Sequence, residues 1–174
     1  LPPRGPVSSH PEGSLQPEDC PFIAGRGALE SSLAAFRMLA MQLNLPFRRE
    51  MLRRVFSDQV QRHGEVSLAL CGAVGESIGL HTQLLELKAT DLRRLQPPLL
   101  LRWGDGVAVV WDANAKTVLL GIPADRSRLL SWEAFQEVGV GGVQRVPCQR
   151  GRCGVTATAA RATTAVARAV FFCH

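Results

Sequence analysis

The chain has 174 residues, which suits one domain with a sizeable core, and it carries a formal net charge of +5. Residues 1–138 contain 15 Lys/Arg and 15 Asp/Glu, whereas residues 139–174 contain five arginines and no acid. The excess charge therefore belongs to the C-terminal segment, and a nucleic-acid-binding face on a folded domain is not predicted.

Five cysteines, three of them after residue 139, are too few and too unevenly placed for a disulfide framework, which favours a reducing, cytosolic setting. The sequence predicts neither a signal peptide nor a bilayer-spanning run of ~20 apolar residues. No cofactor and no metal site is predicted either. The C-terminal segment contains four possible zinc ligands, Cys148, Cys153, Cys173 and His174. The spacing of the first two, C-x4-C, is wider than the usual C-x2-C of a zinc knuckle, so a zinc site is not predicted.

Residues 1–29 hold six of the eleven prolines and are predicted to be a linker. A helical period begins at Ser31 and ends near Pro46. Ser31 and Ser32 are interpreted as residues that cap this helix, since Ser is a favoured N-cap. Its apolar stripe comprises Leu33, Phe36, Ala40 and Leu43.

Two more helices follow, over residues 47–62 and 67–78, and the second of them has Ser67 as a plausible N-cap. In the helix over residues 47–62, the side chains predicted to face inward are Met51, Leu52, Val55, Phe56 and Val60. After Gly79 short strands appear, and a last short helix is expected over residues 132–138 with Ser131 as its cap. Helices followed by hairpin-linked strands predict an α+β domain, with N-terminal helices packed on a C-terminal antiparallel sheet.

The run E-S-S-L-A-A-F-R-M-L, residues 30–39, resembles the first helix of the bacteriocin-processing cysteine peptidase domains of peptide-exporting ABC transporters. In that family the helix opens on an acid and the nucleophilic cysteine. The later segments keep the family's order: G-L-H-T-Q, P-L-L-L-R-W, G-V-A-V-V-W, K-T-V-L-L-G-I-P and L-L-S-W-E-A-F. The resemblance thus covers residues 30–138 and implies a papain-like fold.

The resemblance also implies a catalytic set of cysteine, histidine, aspartate and an upstream glutamine, and these positions hold Ser31, Gly106, Ile122 and Gly25. A degenerate, inactive peptidase is therefore expected. A serine in place of the cysteine would need a nearby base far more than a thiol does. None of the four histidines lies on the strand expected to face the first helix, although His81 near Asp105 or Asp112 stays open.

The function that the resemblance implies is to bind or position a secreted polypeptide for an ABC exporter of a type I secretion system. The expected partners are that polypeptide and the membrane and ATPase domains of the transporter, at the cytoplasmic face of the inner membrane. The predicted substrate cleft is bordered by Ser31, Ser32, Trp103, Asp105 and Gly106, although Trp103 could equally be core. The alternatives are an active leader peptidase with an unaligned nucleophile such as Cys20 or Cys71, and a structural accessory domain of the transporter.

Two further segments leave alternatives open. Four arginines in residues 48–54 are either a solvated helix face or a contact for an acidic peptide or for lipid headgroups. Residues 139–174 form a low-complexity tail, in which Ala, Val, Gly, Arg, Thr and Cys supply 30 of 36 residues. This tail is expected to be disordered, either as a natural linker or, as we favour, as the product of a reading-frame shift.

Overall fold

Three helices form one layer of the domain. The computed structural model describes residues 15–139 and 166–173. A short 3₁₀ turn (Pro17–Asp19) precedes α1 (Gly27–Gln42), α2 (Arg49–His63) and α3 (Leu68–Ser77). Gly64 ends α2 in the left-handed conformation, φ 77°, and its N–H donates to Val60 O. The N-cap predicted for α3 is confirmed, because the hydroxyl of Ser67 accepts a hydrogen bond from Leu70 N at 3.2 Å.

A six-stranded antiparallel sheet forms the second layer. Its strands are β1 (His81–Lys88), β2 (Leu99–Trp103), β3 (Gly106–Ala113), β4 (Thr117–Gly121), β5 (Ser127–Ser131) and β6 (Val166–Cys173), with α4 (Trp132–Gly139) between the last two. The spatial order is β1-β6-β2-β3-β4-β5, so β6 lies between β1 and β2. The predicted α+β class, with helices packed on an antiparallel sheet, is confirmed.

The sheet has a hydrophobic cluster on each face, because side chains alternate along β3. Val107, Val109 and Trp111 pack with the α1–α3 layer, where Phe36 and Phe56 meet with ring centroids 5.5 Å apart. On the other face, β3 and β4 pack with α4 and the 3₁₀ turn Ala89–Arg94, through Leu92, Ala108, Val110, Leu120, Ile122 and Phe135. Within the described ranges, none of the helices has the length and apolarity needed to cross a bilayer.

Two predictions about the helices are wrong. α1 begins at Gly27, so Ser31 and Ser32 lie inside the helix and do not cap it. Both are buried, and their hydroxyls donate to Ala28 O at 3.4 and 2.8 Å, the back-bonding that a helical serine uses when water is excluded. Met51 is 39% exposed and does not face inward, because Leu52 and Phe56 occupy the inner face of α2.

The flanking segments take part in the fold where they are described. Cys20, placed in the predicted linker, is buried in the main cluster, and Gly25 N donates to Pro123 O at 2.9 Å. β6 lies within the segment 139–174, so the predicted disorder is wrong for residues 166–173, whose backbone groups pair with both neighbouring strands. Residues 1–14 and 140–165 lie outside the described residues, and the remaining domain boundaries stay predictions. β5 was not predicted.

Candidate functional site

Ser31 of α1 and Gly106 of β3 are in contact. The second turn of α1 packs against the first residue of β3, and Ser31 is 2% exposed. A Cβ added to Gly106 would collide with Ser31 Oγ and lie 2.9 Å from Ser31 Cβ. No side chain therefore fits at position 106 unless Ser31 moves. The two positions that the resemblance assigns to the nucleophile and the base face each other, and both carry small residues.

Trp103 and Asp105 lie beside this contact. Trp103 is the direct backbone partner of Gly106 in the β2–β3 pair, but its ring packs on Phe135 of α4, in the cluster on the face of the sheet away from α1. Asp105 is exposed in the turn that joins the two strands. Ser32 differs from the other members of the predicted cleft, because it is completely buried. The structure thus brings Ser31 and Gly106 into contact and places Trp103 and Asp105 next to Gly106 along the β2–β3 hairpin, and the role of these residues in binding stays a prediction.

The other two degenerate positions offer no catalytic side chain. Ile122 is 4% exposed and packs in the cluster around Phe135, where a hydrocarbon side chain cannot orient a base by hydrogen bonding. At Gly25 the main chain approaches α1 so closely that an added Cβ would collide with Glu30 O. The backbone needs glycine there, and position 25 supplies no side-chain donor for an oxyanion.

The histidines of the described segments lie far from Ser31. One row of the sheet runs through Leu85, Ala169, Leu101 and Ala108. His81 lies four residues to one side of that row and Gly106 two residues to the other, and β6 and β2 separate their strands. With strands ~4.8 Å apart and ~3.4 Å per residue, His81 is more than about 20 Å from Gly106. His63 ends α2, ~15 Å along that helix from Arg53. His10 and His174 lie outside the described residues.

Cys20 and Cys71 are both buried, and the pKa of each thiol is raised. Burial raises the pKa of the Cys71 thiol to about 12. The pKa of Cys20 is also raised, first by burial and then by the neighbouring charges of Asp19 and Asp112. A nucleophilic cysteine needs the opposite, a lowered pKa in a cationic, accessible setting. Cys20 is held more firmly than its proline-rich segment led us to expect, yet its surroundings disfavour the thiolate.

An ion pair between α1 and α2 was missed by sequence reasoning. Glu30 lies 2.9 Å from the guanidinium of Arg53 and 3.8 Å from that of Arg49, on the surface of the two helices. The acid that the resemblance places before the nucleophile thus neutralises part of the arginine patch. The arginine spacing i, i+4 on α2 was a signal for one shared partner, but the identity of that partner depends on how the helices cross.

A solved structure shares this fold. The crystal structure of a double glycine motif protease from an AMS/PCAT transporter, in complex with the leader peptide, is similar to this chain at 20% sequence identity with a TM-score of 0.58. The similarity covers 68% of this chain and 84% of that chain. No protein-family model and no curated protein matches the sequence. The likeness confirms the predicted papain-like fold.

Proposed function

We propose that the chain is a catalytically inactive peptidase-like domain that binds an exported polypeptide and positions it for an ABC exporter. The observation that carries the proposal is the contact between Ser31 and Gly106. It fills the place where a catalytic dyad would need a thiolate and an imidazole at hydrogen-bond distance. Support for the partner comes from the similar solved domain, which belongs to a transporter and holds a leader peptide.

Binding can outlast catalysis because the two have different requirements. Peptide cleavage needs a nucleophile, a base and an oxyanion donor in one geometry, whereas docking needs only accessible apolar area and hydrogen-bonding groups. The half-buried Trp103 and the exposed Asp105, both in the hairpin that leads into Gly106, are the residues that we expect to offer the apolar area and the hydrogen-bonding group. We place the domain with the membrane and ATPase parts of a type I secretion exporter, at the cytoplasmic face of the inner membrane.

An active leader peptidase is the second candidate, and the cysteine environments disfavour it. Cys20 is 6% exposed and Cys71 is fully buried, and the pKa of each is raised. Neither thiol can attack a peptide carbonyl without leaving the core. A purely structural accessory domain is the third candidate, and it differs from our proposal in predicting no affinity for exported peptides.

The test measures binding and cleavage on the same samples. The purified chain is mixed with fluorescently labelled double-glycine leader peptides, anisotropy reports binding, and mass spectrometry reports cleavage. We expect saturable binding of the leader and not of a scrambled copy, weakened by Trp103→Ala and by Asp105→Asn, with every peptide left intact. Cleavage that disappears in Cys20→Ala or Cys71→Ala would establish the leader peptidase instead. Failure of every leader to bind would favour the accessory domain.

A further inference from the structure

A β-bulge directs the side chain of Trp111 toward β4. The register between β3 and β4 shifts between Val110 and Asp112, which makes Trp111 the extra residue of the bulge. Its ring packs with the α1–α3 layer, and the residue is 3% exposed. The indole nitrogen lies directly against Gly121 of β4, because a Cβ added there would be 2.6 Å from Trp111 Nε1. Only glycine at position 121 lets the nitrogen come this close to the strand.

Two buried polar atoms lie at this place without a partner. Ser127 of β5 is the direct partner of Gly121, so its side chain projects from the same face of the sheet, with Cβ positions about 4.5–5.5 Å apart. Trp111 Nε1 and Ser127 Oγ are both buried, and neither has a hydrogen-bond partner among the residues that the structure describes. A third such atom, Arg128 Nε, lies elsewhere, because Arg128 opposes Leu120, which packs in the cluster on the other face.

The segment that precedes α1 packs over this part of the sheet. Cys20 lies in the same cluster as Trp111, and the 3₁₀ turn Pro17–Asp19 contacts β5. Gly25 N donates to Pro123 O just beyond the end of β4, which fixes the segment to the sheet. The indole N–H is therefore shut off from bulk water. A buried donor in that position loses its hydration without compensation unless an acceptor takes its hydrogen.

We infer that a buried water molecule bridges Trp111 Nε1 and Ser127 Oγ and joins the bulge of β3 to β5. The indole N–H can only donate, whereas a hydroxyl donates or accepts, so the bridging group must accept from the indole and also bond the hydroxyl. Water does both, and two hydrogen bonds of about 3 Å span up to about 6 Å. Buried waters satisfy polar groups that the packed chain leaves without partners. An anion is a poorer occupant, because the carboxylate of Asp112 follows Trp111 in the same bulge.

Water contacts of the indole protons test the inference in solution. NOE and ROE cross-peaks between water and the indole N–H protons are recorded on the ¹⁵N-labelled full chain, with resonances assigned from variants that replace one tryptophan by phenylalanine. We expect Trp111 to show water cross-peaks of opposite sign in the two spectra, because a held water tumbles with the protein. Trp132 is the internal control: its Nε1 donates to Asn114 O at 2.9 Å, so no held water is expected at its proton.

Two serine variants locate the water. Ser127→Ala removes its second partner, so we expect the cross-peak of Trp111 to be lost. Ser131→Ala is the matched control, because it removes a hydroxyl from the same face of β5 that already accepts a hydrogen bond from Ala134 N at 3.2 Å. The Trp111 cross-peak should persist in that variant. A crystal structure of the full chain distinguishes a water from the serine hydroxyl itself, because the water should lie within about 3.2 Å of both atoms.

Three results would overturn the water site. The first is a Trp111 proton with no water cross-peak, or with cross-peaks of one sign in both spectra, which is direct exchange with solvent. The second is a cross-peak that Ser127→Ala leaves unchanged. The third is a crystal structure in which Trp111 Nε1 bonds Ser127 Oγ directly or no water lies between them. None of these results bears on the proposed function, because Trp111 is five residues along β3 from Gly106.

Discussion

At the scale of single residues, the contact between Ser31 and Gly106 makes each side chain depend on the other. Gly106→Ala puts a methyl group 2.9 Å from Ser31 Cβ and still closer to its Oγ, so we expect the free energy of unfolding to fall by ~1–3 kcal/mol. In a Ser31→Gly background the same substitution should cost less, because the obstructing atoms are gone. Urea unfolding of the four proteins measures the coupling. An equal cost in both backgrounds would mean that the two residues do not touch in solution.

The buried thiol of Cys71 gives a second prediction at this scale. Because burial raises its pKa to about 12, the folded chain keeps the proton where the unfolded chain, with a pKa near 9.0, releases it. The unfolded state then binds fewer protons, so this contribution to stability is intact below pH 9 and is lost as the pH rises from about 9 toward 12. Cys71→Ala should flatten that part of the profile in chemical unfolding. A thiol reagent that modifies Cys71 rapidly in the folded chain at pH 8 would contradict the buried environment.

The sequence was enough to assign residues to the degenerate catalytic positions, but it did not predict which residues they contact. Ser31 and Gly106 could be matched by order along the chain, but their contact joins residues 75 positions apart and depends on how α1 meets β3. The caps at Ser67 and Ser131 were predictable, since each bonds an N–H three residues away. The prediction that Ser31 caps α1 failed because the helix begins one turn earlier, at Gly27, which leaves Ser31 inside it.

At the scale of elements, the ion pair between α1 and α2 should contribute little. Both partners of the Glu30–Arg53 pair are 40–45% exposed, so water and salt screen it, and exposed pairs typically contribute ~0.2–1 kcal/mol. We expect Glu30→Gln to lower the free energy of unfolding by less than about 1 kcal/mol. A double-mutant cycle with Arg53→Gln at low and high salt is the measurement. A coupling that salt leaves unchanged would point to a buried pair and contradict the exposure described above.

Removal of β6 should have a larger effect, because β6 is the hydrogen-bonded neighbour of both β1 and β2. A chain that ends at residue 165 leaves β1 and one edge of β2 unpaired, so we expect cooperative thermal unfolding to be lost and aggregation to increase. Removal of His174 alone is the control and should be harmless. A synthetic peptide of residues 164–174, added in trans, should restore part of the transition. A truncated chain that melts like the full one would show that β6 is dispensable, as a frame-shifted tail would be.

The helices and strands that have a clear local hydrophobic period were predicted from the sequence. The strands β5 and β6, which lack such a period, were not. α2, α3, α4 and the hairpins β2–β3 and β3–β4 follow hydrophobic period and turn residues. β5 carries Arg128 and a half-exposed Leu129 at the sheet edge, so its alternation is weak. β6 is separated from its partners by more than 60 residues, and composition alone indicated a tail.

At the scale of the whole molecule, charge is divided between segments. Because residues 1–138 are neutral overall, retention of the full chain on heparin should depend on the C-terminal arginines. Simultaneous change of Arg145, Arg150, Arg152 and Arg161 to Gln should move elution to clearly lower salt. A quadruple variant that elutes unchanged would place the basic surface on α2, among the arginines that flank Glu30.

The position of β6 also bears on how the chain is made. β1 and β2 are complete once residue 103 is synthesised, yet the strand that lies between them ends at Cys173, 70 residues later. During that interval the two strands cannot pair through their native neighbour, and their open edges can join other chains. We therefore expect the nascent domain to depend on chaperones early, because its sheet can be completed only after β6 is synthesised.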